Sequence, residues 1–232
     1  MGSNQFSIGE AFQVGWDRFR ESARFWLGTA ILFLMIAAAI VVIGGITGGG
    51  ALFQYLFDAT RWFAGLLIVN LVWSAVGLFI NFAYVGWALR AVDRSGLSLA
   101  DCLSNGTQFV SYFVFWVVMG SGALAAAIVL GVGGGPPGLF ILVCAWMFVL
   151  VKLGFVPHLI IDKSEGLISA ISDSWTVTKG VFWKLLGFYL LAGLLNLMGI
   201  LPLGLGLPLT LPVTFVGAAT VYRRLIGAPT VT

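Results

Sequence analysis

Three times along the chain, a charged amphipathic segment precedes a pair of apolar stretches joined by a glycine-rich turn. Apolar stretches of ~20 residues match a hydrocarbon core of ~30 Å when helical, and only helices or closed barrels satisfy their backbone groups there. Six are readable: Trp26 to Gly44, Ala64 to Trp87, Tyr112 to Val132, Gly138 to Leu159, Trp183 to Leu201 and Leu205 to Tyr222. They are continuously apolar and lack the outward-apolar, inward-polar alternation of barrel strands. Composition agrees, with 60% hydrophobic and 9% charged residues and a mean hydropathy of +1.05. A water-soluble fold of this length could not hide that much apolar surface. The expected fold class is an all-α integral membrane protein, a single membrane domain over residues 1–232. Its six transmembrane helices would form three pseudo-repeated helical hairpins, approximately 7–92, 98–160 and 165–227, each preceded by a cytoplasmic amphipathic interfacial helix.

The first interfacial helix is expected from Ser7, with Ile8, Phe12, Trp16, Phe19 and Ala23 at helical spacing and Glu10, Asp17, Arg18, Arg20, Glu21 and Arg24 on other faces. Ser7 with Glu10, and Ser98 with Asp101, fit capping boxes. The second helix would run through Leu99, Cys102 and Leu103, and the third would set Ile168, Ile171, Trp175 and Phe182 against Ser169, Asp173, Thr176 and Lys179. The segments leading into the second and third units correspond: Asp93, Arg94, Ser95 and Gly96 parallel Asp162, Lys163, Ser164 and Gly166.

Pro208 and Pro212 predict a kink or an unwound first turn in the sixth span, since each removes a backbone donor. Leu52, Phe53, Leu56 and Phe57, beside Asp58 and Arg61, fit a short outer interfacial helix. About two dozen charged, amphipathic residues precede the first apolar run, so a cleaved signal peptide is not expected. Arg18, Arg20, Arg24, Arg90, Arg94, Lys163, Lys179, Lys184, Arg223 and Arg224 fall on the side holding both termini, and Arg61 falls opposite. By the positive-inside rule both termini are expected to be cytoplasmic, in a multi-pass membrane protein. The net charge of +3 suits anionic lipid, and its dispersion among spans does not suit a nucleic acid.

Chemistry-bearing residues are few. His158 is the one histidine, so neither a multi-histidine zinc site nor a bis-histidine haem can form. An interfacial or hydrogen-bonded role ranks ahead of a ligand role for it. Lys152 interrupts an apolar run, and snorkelling to headgroups ranks ahead of a substrate or ion site. Lys152, His158, Arg223 and Arg224 are the candidate lipid or ligand contacts; Phe12, Trp16, Phe19, Leu99, Leu103, Ile171 and Trp175 mark the interfacial helices. No acidic residue lies deep in a span, which argues against ion-coupled transport. Cys102 and Cys144 are expected to be reduced and unpaired. Trp26, Trp62, Trp87, Trp116 and Trp183 are expected at membrane interfaces.

From Phe155 to Gly227 a pattern stands out: Phe155, Pro157 and Asp162; Ala170, Ser174 and Trp175; Thr178, Lys179, Gly180 and Trp183; then Tyr222 and Arg223. It resembles the bacterial membrane-domain family found alone or fused to glycerophosphodiester phosphodiesterases, together with related six-span inner-membrane proteins. The first half matches in general plan only, and the catalytic domain of the fused members has no counterpart in this sequence. The resemblance implies a membrane module associated with lipid or with an enzyme, without implying catalysis.

Three function classes follow. The first, and the preferred one, is a noncatalytic membrane subunit or scaffold packing against lipid and a larger membrane assembly. The alternatives are a lipid-handling or small-solute transport module, and a cofactor- or pigment-binding subunit. No enzyme activity, cofactor or metal is expected. The expected partners are membrane lipids and another membrane protein or a second copy of the chain.

Overall fold

The structure is a computed structural model that describes residues 6–36, 38–39, 59–93, 96–98, 106–128, 135–201 and 206–227. The fold is all-helical, with 88% helix and no strand among the described residues. In chain order the helices are α1 (Ile8–Glu21), α2 (Ala23–Ile36), α3 (Ala59–Val92), α4 (Gly106–Ala126), α5 (Gly135–Leu153), α6 (Val156–Lys163), α7 (Leu167–Val177), α8 (Phe182–Ile200) and α9 (Leu207–Leu225). Among the described residues four stretches are long and apolar enough to cross a membrane: Ser74–Val92, Gln108–Ala126, Gly135–Lys163 and Phe182–Ile200.

The expected first span begins in α2, a shorter apolar helix, and its remainder lies outside the described residues. The expected sixth span is α9, which does not qualify by hydropathy. Pro208, Thr210, Pro212, Thr214, Gly217, Thr220, Arg223 and Arg224 dilute its apolar character. Burial explains the mixture, since Val213, Val216, Ala219, Val221 and Tyr222 all lie in the core and α9 meets protein along most of its length. Its first turn is not unwound, because the Thr210 and Leu209 amides both donate to the Gly206 carbonyl. Pro208 sits where no intrahelical donor is required.

The chain forms two compact units, residues 22–81 and residues 1–21 with 82–232. The first holds α2 and the earlier part of α3. Within it Phe25 and Trp26 meet edge to face at 5.8 Å, and the Thr29 hydroxyl donates to the Trp26 carbonyl at 2.9 Å. The larger unit is built around α9. There α1 runs antiparallel to α9, with Glu10 paired to Arg224, the Ala11 carbonyl against Gly217, and Gly15 against Val213. A Cβ on Gly15 would stand 2.4 Å from the Val213 carbonyl oxygen, so two backbones touch where glycine leaves room.

Much of the amphipathic stripe of α1 is thereby used inside the protein. Phe12 stacks on Phe188 of α8 with ring centroids 5.2 Å apart, Phe19 is buried, and Trp16 remains half exposed. The capping box at its start is half formed: the Glu10 amide donates to Ser7 Oγ at 3.5 Å, but the Glu10 carboxylate is taken by Arg224. Asp101 of the second expected cap, with Leu99, Cys102 and Leu103, lies outside the described residues, as do Leu52 to Asp58.

The expected fourth span is one apolar run made of two helices. Pro157, in the first turn of α6, has no amide for a bond to the Leu153 carbonyl, and its ring crowds that carbonyl, so α5 ends at Leu153. Gly154 and Phe155 form the turn. A side chain on Gly154 would collide with the Tyr189 hydroxyl at 2.2 Å.

In α7 the face turned inward is the one of small residues. Ala170, Ser174 and Thr178 are buried, whereas Ile168 is 85% exposed, Trp175 is half exposed and Ile171 is intermediate. Ser174 donates to the Lys152 carbonyl at the end of α5 at 2.8 Å, and Gly180 ends the segment at φ +79. Ser174→Ala removes one buried hydrogen bond and orphans that carbonyl, so we expect a loss of about 1 kcal/mol in thermal unfolding of the detergent-solubilised chain. An unchanged transition would show that the bond contributes nothing. Trp26 and Trp87, expected at membrane interfaces, are both fully buried within the protein, and the Trp87 indole donates to the Ser98 carbonyl at 3.0 Å. Trp183, 79% exposed, is free to anchor.

Candidate functional site

Three helix ends meet in the larger unit, those of α3, α6 and α9. Asp93 follows α3, and Asp162 lies in the last turn of α6. A carboxylate there opposes the partial negative charge of a helix C-terminus, so each needs a cation. Arg223, in the last turn of α9, serves both. Its Nε and Nη2 donate to the two oxygens of Asp93 at 3.0 and 2.5 Å, and its Nη1 donates to Asp162 Oδ2 at 2.7 Å. The Tyr222 hydroxyl donates to the same Asp162 oxygen at 2.9 Å. A planar guanidinium can fork onto one carboxylate while reaching another; an ammonium cannot. Partial burial works against the Arg223 charge, but the hydrogen bonds it donates to Asp162 and Asp93 outweigh it and hold its pKa above the ordinary value. Beside the cluster opens a cleft of about 150 Å³, whose lining includes Arg90, Asp93, Asp162 and Arg223.

The four residues expected to meet a ligand are placed as follows. Arg223 is the hub just described, and Arg224 pairs with Glu10. The Lys152 ammonium lies over the Trp175 ring, 5.1 Å from its centroid. His158 is buried, packed against Phe155 and Tyr222 at 5.7 and 5.5 Å. The structure thus brings Arg223 together with Asp93, Asp162 and Tyr222, and it leaves Lys152 outside that cluster. The aspartates were legible as matching markers ahead of two repeats. What the pattern did not contain was their common partner, 130 and 61 residues further on.

Lys152→Met keeps the stem that packs here and removes the cation from the indole, an interaction of about 0.5–1 kcal/mol at an exposed site. We expect normal accumulation in membranes and a small fall in thermal stability; loss of the protein would show a deeper structural role for the charge.

Among the described residues no group of three histidine, cysteine or acidic side chains is placed to hold a metal ion. The acidic side chains of the cluster are occupied by Arg223 and Tyr222, an arrangement suited to holding helices and to presenting both signs of charge beside the cleft. No family model, curated protein or solved structure matches the chain.

Proposed function

We propose that the protein is a noncatalytic integral membrane module, a subunit or scaffold whose apolar helices pack against lipid and against a larger membrane assembly. The observation that carries this reading is the pairing of the charged cluster within the protein, combined with broad apolar exposure on α4, α5 and α8. Val118, Leu124, Phe140, Val143, Leu194 and Met198 are each more than half exposed, a surface that suits hydrocarbon or the helix of a partner. In this reading the six apolar stretches are six crossings in three hairpins, both termini are cytoplasmic, and the membrane is a bacterial inner membrane. The likeness of residues 155–227 to the membrane-domain family found beside glycerophosphodiester phosphodiesterases supports the same placement.

Gentle extraction from native membranes and mass spectrometry of what remains bound tests the subunit reading. Stoichiometric protein companions are expected, and a solitary chain would sink it. Topology is tested separately: reporters at Gly48 and Pro136 are expected on the side opposite the C-terminus, and the same side for all three would remove the six-span arrangement.

A further inference from the structure

Where α7 ends and α8 begins, aromatic rings from three helices stand in a row. Trp175 of α7 meets Phe148 of α5 edge to face at 5.9 Å, Phe148 meets Phe182 at 5.6 Å, and Phe182 meets Trp183 edge to face at 5.3 Å. The row is not buried: Phe148, Trp175 and Trp183 are 43%, 44% and 79% exposed. Three lysines border it. The Lys152 ammonium lies over the Trp175 ring, Lys179 follows Trp175 at the end of α7, and Lys184 adjoins Trp183 in the first turn of α8.

Lys179 and Lys184 are exposed, and neither has a hydrogen bond or an ion pair among the described residues. Glu165 and Asp173, the acidic residues that precede them, are both taken by Lys163, at 3.3 and 3.6 Å. The first turn of α8 holds no acidic residue. The positive character of this corner therefore rests on two unpaired ammonium groups and not on a sum over the chain. Indole rings suit the boundary between hydrocarbon and headgroups, because the ring body is apolar and its N–H is polar. The exposed apolar side chains of α5 and α8, Val143 and Leu190 among them, continue from the row. An acidic protein segment would use the lysines and leave that apolar continuation without a role, whereas a phospholipid uses both.

The lysines also select among phospholipids. An ammonium is a compact point charge that binds phosphate without a fixed geometry, so it accepts any phosphodiester, and the rest of the headgroup decides. Ethanolamine and choline carry a positive charge that unpaired lysines repel, and glycerol carries none. We propose that the α7–α8 corner binds one anionic diacyl phospholipid of the phosphatidylglycerol class. Its phosphodiester lies against Lys179 and Lys184, its ester region against Trp175 and Trp183, and its chains along α5 and α8. The proposal rests on placement in a membrane but not on the scaffold reading.

The test uses the full chain in detergent, offered palmitoyl-oleoyl phosphatidylglycerol, phosphatidylethanolamine and phosphatidylcholine in equal amounts and read by native mass spectrometry. One phosphatidylglycerol per chain is expected, preferred about tenfold over each of the other two, a preference of ~1.4 kcal/mol. Lys179→Gln combined with Lys184→Gln is expected to erase the preference and to leave thermal unfolding unchanged, since both side chains are exposed and unpaired. Arg20→Gln, which removes a charge from an exposed side chain of α1, is expected to keep the preference. Equal retention of the three lipids overturns the proposal and leaves the lysines to an acidic protein segment. An undiminished preference in the double variant also overturns it, as does an equal fall in Arg20→Gln, which would make the effect one of overall charge. Displacement of the lipid by inorganic phosphate at the same concentration would overturn the lipid part and identify a phosphate site alone. Resistance of the chain to alkaline extraction from membranes is scored in parallel; its loss would remove the membrane placement, which is a separate failure.

Discussion

Arg223→Ala is expected to lower stability by about 2–4 kcal/mol and to deplete the protein from membranes. It removes the one guanidinium shared by Asp93 and Asp162, whose side chains are 39% and 18% exposed, and leaves two carboxylates at helix C-termini facing each other. Breaking a fully buried pair costs ~3–5 kcal/mol, and the solvent reaching Asp93 justifies the lower figure. Arg223→Lys should recover only part of the loss, because an ammonium cannot reproduce the forked contact to Asp93 while holding Asp162. Combining Arg223→Met with Asp93→Asn and Asp162→Asn should recover more, since no unpaired charge is left behind. Thermal unfolding in detergent measures all three. If Arg223→Ala melted with the wild type, the cluster would contribute nothing to the fold.

The second large effect is expected at Gly15. Any Cβ there would stand 2.4 Å from the Val213 carbonyl oxygen, and that neighbour is backbone, which cannot rotate aside. Gly15→Val must therefore push α1 off α9, at ~3 kcal/mol or more by the overpacking scale. Glu10 and Arg224 would separate with it, and the N-terminal helix should become sensitive to protease under conditions where the rest stays folded. Gly9→Ala is the matched control: its Cβ would meet nothing closer than 3.8 Å, and helix propensity alone predicts a gain of up to ~1 kcal/mol. Equal protease resistance in Gly15→Val and wild type would mean that α1 is not held by this contact.

These two sites also show where reading from sequence stopped. Continuous apolar runs announced most of the helices, because length and hydropathy are local properties. Gly154 and Pro157 mark the break between α5 and α6, but hydropathy reads a single span from Gly138 to Leu159 across it, because the residues around them are mostly apolar. Periodicity assigned the apolar side of α7 to Ile168, Ile171 and Trp175, but it did not say which face meets protein, and that face holds Ala170 and Ser174, with Thr178 just beyond the helix. In an apolar setting large hydrophobic side chains gain little by leaving lipid, so close approach of small residues decides which face packs. The Asp93–Arg223–Asp162 cluster was illegible for another reason. Its members carry ordinary local signals, a carboxylate before a turn and a basic pair at a helix end, and only the tertiary fold makes them one object.

The antiparallel pairing of α1 with α9 sets a timetable for biosynthesis. Glu10 and Arg224 are 214 positions apart in the chain. At ~5–20 residues per second, α1 leaves the ribosome tens of seconds before α9 exists. During that interval Ala11, Gly15 and Phe19 have no helix to cover them, and the charged side chains between them keep the segment at a water boundary. The pairing of α1 with α9 therefore waits on synthesis of the other helices of the larger unit, so α1 settles late although it is made before them.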